Sequence, residues 1–224
     1  MLEAISFLRA LERHNDREWF ARHKEQYQAA VLLPMRRLVA ALDAACARRG
    51  IPLYGDERRS IFRVYRDIRF SPDKRPFKTY AAAYLSRDGE RTTQGGLYIR
   101  ISPEGSWVSV AFFQPPPPLL QRWRRALAGE PKRFARVVAA LQAKRLRIRP
   151  PEDWDDALRR MPRGFESFAA SPLAPYFRLR SFAVRRTLTQ RELAGSRLSA
   201  TVMTFIEAAG PLLRYGWQLE NEDA

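Results

Sequence analysis

Three observations predict an α+β fold, a mostly antiparallel sheet of about five strands packed by N-terminal, central and C-terminal helices. Apolar side chains recur every three or four residues through residues 1–50. Beyond Ile51 and Pro52 the spacing falls to two, the period of strands, and helical spacing returns after four consecutive prolines at 115–118. No repeat and no break in composition divides the 224 residues. The sequence therefore reads as one α+β domain over 1–224, long enough to bury about 70% of the surface of its unfolded chain. Within it, 1–50 form a helical part, 61–114 a strand-rich core, 118–145 helices, and 177–214 a strand followed by a helix.

Each element has its own signal. Phe7, Leu8 and Leu11 make the apolar stripe of a first helix, and Asn15 with Glu18 reads as a capping box opening a second that carries Trp19, Phe20 and Tyr27. Pro34 sits at a helix start, followed by Met35, Leu38, Val39, Leu42 and Cys46, with Gly50 as the stop. The first strand is expected in Ile61–Tyr80 and the second over Lys78–Ser86, where the triple alanine at 81–83 fits a helix equally well. Leu97–Ser102 and Trp107–Phe113 form a hairpin around the turn at 103–106. Pro118 is well placed to open a helix after an extended proline run, a connector more than a partner-binding motif, and Leu119, Leu120, Trp123, Leu127, Phe134, Val137, Val138 and Leu141 follow at helical spacing. Residues 150–175 read as an irregular surface loop with a short acidic helical piece around Asp153–Arg160. Phe177–Leu188 reads as a strand. Thr189 with Glu192 makes a capping box for a C-terminal helix that carries Leu198, Val202, Phe205 and Ile206 and ends at Gly210-Pro211.

A formal charge of +16, mostly from arginine, attracts phosphate, carboxylate and other polyanions. The same Ala-, Arg- and Pro-rich composition also follows from a GC-biased coding sequence, which leaves much of the charge as solvated surface. One cysteine, Cys46, excludes an internal disulfide and any multi-cysteine zinc site. The N-terminus MLEAISFLRALE has no signal-peptide core and no later apolar run reaches membrane-spanning length, so a cytoplasmic protein without a membrane partner is expected.

The segment IFRVYRDIRFSPDKRPFKTY at 61–80 concentrates the chemistry, with ten of its twenty residues charged or tyrosine. At period two, Phe62, Val64, Ile68 and Phe70 share a face with Arg66, opposite Arg63, Tyr65, Asp67 and Arg69. A guanidinium among apolar neighbours either pairs with a carboxylate such as Asp73 or lines a cavity that holds an anion. Pro72 and Pro76 stiffen the turn that presents Asp73, Lys74 and Lys78. Candidate ligand-binding residues are Arg63, Tyr65, Arg66, Asp67, Arg69, Asp73, Lys74, Lys78 and Tyr80, with Tyr84 and Tyr98 secondary. A structural ion-pair network, with Asp73 on turn duty, is the competing reading.

Three motifs, NDREWF at 15–20, YRDIRFSPDKRPFKTY at 65–80, and PRGF at 162–165 followed by LRSF at 179–182, resemble the domain of unknown function 2461 family of bacterial and fungal proteins. The resemblance spans nearly the whole chain. It implies fold and lineage and carries no reaction or ligand with it. Where that family implies an Asp-His-Pro, this sequence has Ala170, Ser171 and Pro172, which argues against an essential histidine there.

Residues 121–149 hold ten lysines and arginines against Glu130. Arg122, Arg125, Lys132, Arg133, Arg136 and Lys144 on this helical face are candidates for non-specific nucleic-acid binding, without any base-reading motif. His14 and His23 lack metal-ligand spacing, so no metal is expected. No nucleophile elbow, phosphate loop or dinucleotide fingerprint is present, so catalytic residues and cofactor stay unassigned. Three functions compete: an anion-binding protein, a nucleic-acid binder, and a structural or partner-binding protein.

Overall fold

The computed structural model of the chain describes residues 1–150 and 157–221. The fold is α+β, with one antiparallel sheet of four strands in the order β1 (Ala81–Leu85), β2 (Gly96–Ile101), β3 (Ser106–Phe112) and β4 (Phe182–Leu188). Backbone contacts group the chain into two units, one of Met1–Thr93, Leu97–Val108 and Arg186–Thr204, the other of Gln94–Gly96, Ser109–Arg185 and Phe205–Ala224.

In the first unit, α1 (Leu2–Arg13) buries Ala4, Phe7, Leu8 and Leu11 along its apolar stripe. Helix α2 (Arg17–Arg22) is capped by Asp16, whose carboxylate accepts from the Trp19 amide at 2.8 Å. The expected Asn15–Glu18 box does not form, because the Asn15 side chain is spent elsewhere. After α3 (Lys24–Tyr27) a single π-helical turn over Gln28–Leu32 leads into α4 (Leu33–Arg48), with Pro34 in its first turn where no amide donor is needed. Gly50 ends α4 at φ +62°, a left-handed conformation that costs glycine nothing, while Ile51 N–H closes on the Cys46 carbonyl at 3.0 Å.

The segment Ile61–Tyr80 is not a strand, which is why the sheet has four strands and not about five. It makes only the isolated bridges Ile61 to Ala83 and Tyr65 to Phe77. Phe62 N–H donates to the Ala82 carbonyl at 2.9 Å. The chain then folds back on itself, with Arg66 N–H donating to the Pro76 carbonyl at 2.9 Å and Lys78 N–H to the Val64 carbonyl at 2.7 Å. Pro72 and Pro76 cannot donate to a ladder, so pairing stops at this irregular hairpin. The two-residue alternation still holds from Phe62 to Arg69, with Val64 buried and Arg63, Tyr65, Asp67 and Arg69 exposed. It fails at Phe70, which is 94% exposed at the apex.

From Ala81 opposite Ile101 to Leu85 opposite Leu97 the first two strands pair in register, with Ala83 opposite Ile99 and Tyr84 opposite Tyr98. At the end of the first unit Thr189 forms its capping box with Glu192 and opens the short helix α8 (Gln190–Ala194).

The second unit is built around Trp123 on α5 (Pro117–Gly129), fully buried against Phe182 at 3.9 Å between ring centroids and edge-on to Phe112 and Tyr215. Pro116 is extended and Pro117, one residue earlier than expected, begins the helix. Helix α6 (Pro131–Ala143) adds Phe134 and Leu141. At Gly95, φ +72° and the 2.4 Å separation that a Cβ would have from the Phe112 ring both demand glycine. The Gly95 carbonyl accepts from the Trp217 indole at 2.9 Å.

Three sequence expectations change here. Within the acidic piece expected over Asp153–Arg160, Asp153–Asp156 lie outside the described residues and Ala157–Arg160 are not helical. Phe177 ends a short helix α7 (Ala174–Phe177), so the last strand begins only at Phe182. Helix α9 (Leu198–Asn221) runs through Gly210-Pro211 instead of stopping there. Beyond the proline, Leu212, Leu213, Tyr215, Trp217 and Leu219 are buried. Burial of about 1.5–3 kcal/mol per large apolar side chain outweighs the roughly 3 kcal/mol of one internal proline.

Candidate functional site

Position 77 fixes the site. Phe77 is buried and stacks on Phe20 at 4.2 Å, with the Tyr65 ring 5.3 Å away and packed against both. The Asn15 side chain donates from Nδ2 to the Phe77 carbonyl and accepts at Oδ1 from the Phe77 amide, both at 3.0 Å. An asparagine carries one donor group and one acceptor side by side, so it substitutes for a neighbouring strand at this one residue. This is the side chain that the sequence assigned to a helix cap. Its actual partner is sixty-two positions away, and no local spacing reveals it.

Ion pairs hold the hairpin beyond that anchor. Arg66 Nη1 pairs with Asp73 Oδ2 and its Nη2 reaches Ser71 Oγ at 3.5 Å. Arg75 donates to the same Asp73 carboxylate from Nε at 3.0 Å and Nη2 at 2.8 Å. Arg69 grips Asp67 in a fork, Nε to Oδ1 at 3.0 Å and Nη2 to Oδ2 at 2.7 Å. Lys74 Nζ donates to the Ile68 carbonyl at 3.1 Å and so closes the loop across its apex. Hydrogen bonds from Arg75 and then Arg66 hold the Asp73 carboxyl far below its ordinary range, and those from Arg69 hold Asp67 at about 2. Both are ionised throughout the physiological range.

Among these groups lies an open cleft of about 310 Å³, lined by Arg66, Asp67, Arg75, Lys78 and Tyr80 with Phe77 and Thr79. Lys78 is its distinctive group. The ammonium is half-buried and donates to the Arg63 carbonyl at 3.1 Å, with the Phe62 ring 5.7 Å away. Burial lowers its pKa first, and the nearby Arg63 and Arg91 guanidinium groups lower it further. Among the described residues no carboxylate pairs with it. Tyr80 offers a hydroxyl on a ring whose face is covered by Arg100 at 4.2 Å.

Arg66, Asp67, Lys78 and Tyr80 thus meet in one cleft, as the sequence candidates require. Arg69, Asp73 and Lys74 stand behind them as braces, and Arg63 touches the site through its carbonyl and its charge. Tyr65 is turned away, packed on Phe77 and Phe20 and 54% exposed. Of the secondary candidates, Tyr84 donates to the Thr93 carbonyl at 2.8 Å, and Tyr98 packs between Phe62 and Trp107. Arg75 and Arg91 were missed by the sequence reading. Arg75 lies inside the motif between Lys74 and Pro76, and its spacing to Asp73 was the available signal. Arg91 reaches back from beyond β1, donating to the Arg59 and Ile61 carbonyls over the Phe62 ring at 4.8 Å.

In the second unit the basic residues of α5 and α6 divide. Arg133 is engaged by Glu130 at 2.9 Å, Gln218 at 2.7 Å and the Tyr215 ring, and Arg122 is half-buried. Arg125, Lys132, Arg136 and Lys144 are exposed. Ser171, in the place where the family resemblance implies a histidine, accepts from the Leu173 amide at 3.1 Å in the turn before α7. His14 and His23 stack on Trp19 at 5.7 and 4.0 Å. No group of His, Cys, Asp and Glu suited to a metal exists among the described residues, and no described helix is long and apolar enough to cross a membrane.

No curated protein and no solved structure matches this chain. The model of one family, described as conserved hypothetical protein (DUF2461), matches residues 3–215. Covering nearly the whole sequence, that match shows that the chain belongs to the DUF2461 family.

Proposed function

We propose that the cleft beside Lys78 binds a small anionic ligand bearing a phosphate or carboxylate. The observation that carries this reading is a half-buried ammonium that shares the Phe62 ring with the Arg91 guanidinium, feels the charge of Arg63 as well, and has no carboxylate partner among the described residues. Gathering like charges at a partly desolvated position costs stability unless an anion offsets it. Arg66 and Arg75 are held by Asp73 in fixed orientation, so the ligand meets preformed donors and spends little on ordering them. Tyr80 and Thr79 add hydroxyl donors at the same wall.

A thermal-shift screen of phosphates, nucleotides and carboxylates tests the reading. At least one class is expected to stabilise the wild type, and the same compounds are expected to lose most of their effect on Lys78→Gln and Arg66→Ala. Equal stabilisation of wild type and both variants places the binding elsewhere and ends the proposal.

A second reading, non-specific nucleic-acid binding, is favoured by the exposed Arg125, Lys132, Arg136 and Lys144. Its signature is a linear fall of log affinity for a labelled duplex with log salt, with a slope of about −0.9 per phosphate contact. Absence of binding at low salt removes it.

A further inference from the structure

We infer that the cleft takes a dianionic phosphoryl group carried on an organic body, a phosphate monoester, in preference to a carboxylate or a sulfate ester; this rests on the anion-binding reading above.

Charge is the first argument. The groups that line the cleft or act directly on its lining are Arg63, Arg66, Arg69, Arg75, Lys78, Arg91 and Arg100 against Asp67, Asp73, Glu12 and Glu104, seven cations to four carboxylates. Asp67 and Asp73 are already engaged by Arg66, Arg69 and Arg75, and Glu104 by Arg100. A monoanion leaves most of the excess uncompensated, whereas a phosphoryl group brings close to two negative charges.

Donor count is the second. Lys78 has three N–H groups and gives one to the Arg63 carbonyl. Arg75 binds Asp73 through Nε and Nη2, which leaves Nη1 unengaged among the described residues. Thr79 and Tyr80 supply two hydroxyls. These donors outnumber what the two oxygens of a carboxylate accept in one plane, and they suit three oxygens arranged as a tripod.

Space is the third. A cleft of about 310 Å³ exceeds a bare phosphate by a wide margin, and with Tyr80 and Thr79 along its wall it leaves room for an organic body on the ester oxygen.

The test is calorimetric titration at pH 8 with phenyl phosphate, phenyl sulfate, benzoate and inorganic phosphate. Phenyl phosphate and phenyl sulfate share their shape and differ by one charge, so their ratio isolates the dianion. Phenyl phosphate is expected to bind about tenfold more tightly than phenyl sulfate or benzoate, the equivalent of one charge-assisted hydrogen bond, and more tightly than inorganic phosphate. Lys78→Gln is expected to abolish the discrimination. Arg75→Gln is expected to weaken the two phosphates more than phenyl sulfate or benzoate, with its fold checked by thermal denaturation. Equal affinity for the sulfate, or tighter binding of benzoate, overturns the inference and leaves anion binding intact. Inorganic phosphate matching the phenyl ester overturns the organic body. Binding of none of the four overturns both this inference and the reading beneath it.

Discussion

The hairpin segment Ile61–Tyr80 and the helix pair α5–α6 are both rich in cations, yet they hold their charge in opposite ways. In the hairpin, Asp67 and Asp73 fix three arginines while Lys74 and Lys78 are tied to backbone carbonyls, and the result is a cleft with its donors in set positions. In the helix pair, the inner arginines pack and the outer ones stand on exposed faces. Charge density alone therefore does not mark a site. Carboxylates interleaved with the cations, and prolines that stop the ladder, do more to build one than a higher local charge.

That contrast breaks most easily at its anchor. Phe77→Ala removes a buried ring stacked on Phe20 and is expected to cost about 3–5 kcal/mol in chemical denaturation. Asn15→Ala deletes both hydrogen bonds to the Phe77 backbone and leaves its amide and carbonyl without a partner there, for an expected loss of about 1–3 kcal/mol. The same variant is expected to weaken ligand binding at the cleft, because Phe77 and Lys78 are neighbours in the chain. An Asn15→Ala protein with wild-type stability and binding would mean that the hairpin is held by its ion pairs alone.

The sequence made the helices and the β2–β3 hairpin legible because each announces itself locally, by period, by caps such as Thr189 with Glu192, or by the turn at 103–106. It located the motif and most of the cleft, since Arg66, Asp67, Lys78 and Tyr80 all lie within fifteen residues. What it misread depends on partners far along the chain. Asn15 looks like a cap because capping is local, but Phe77 competes for its amide. Alternation from Phe62 to Arg69 imitates a strand, and only the lack of a paired neighbour shows otherwise. Gly210-Pro211 reads as a stop, and the burial on its far side overrides it.

Acid sharpens the comparison from another side. Asp67 and Asp73 have folded pKa values below their ordinary 3.8, so their ion pairs add stability that is fully present above about pH 4 and is lost as pH falls through the folded values, about 2 for Asp67. Asp67→Asn with Asp73→Asn is expected to flatten the fall of stability between pH 4 and pH 2 relative to wild type, and to loosen the cleft at pH 7. An unchanged slope in the double variant would show that these pairs contribute nothing measurable, as exposed pairs often do.

The smallest effects belong to two exposed side chains, one from each region. Phe70 at the hairpin apex is 94% exposed, with the Arg69 guanidinium 5.9 Å from its ring, while Arg125 is exposed on α5. Phe70→Ser and Arg125→Ala are each expected to change stability by no more than about 0.5 kcal/mol. Neither lines the cleft, so neither is expected to alter anion affinity. The informative failure is at Phe70: a loss of ligand affinity without a loss of stability would mean that the apex folds over the bound anion and buries against it a ring that the free protein leaves in solvent.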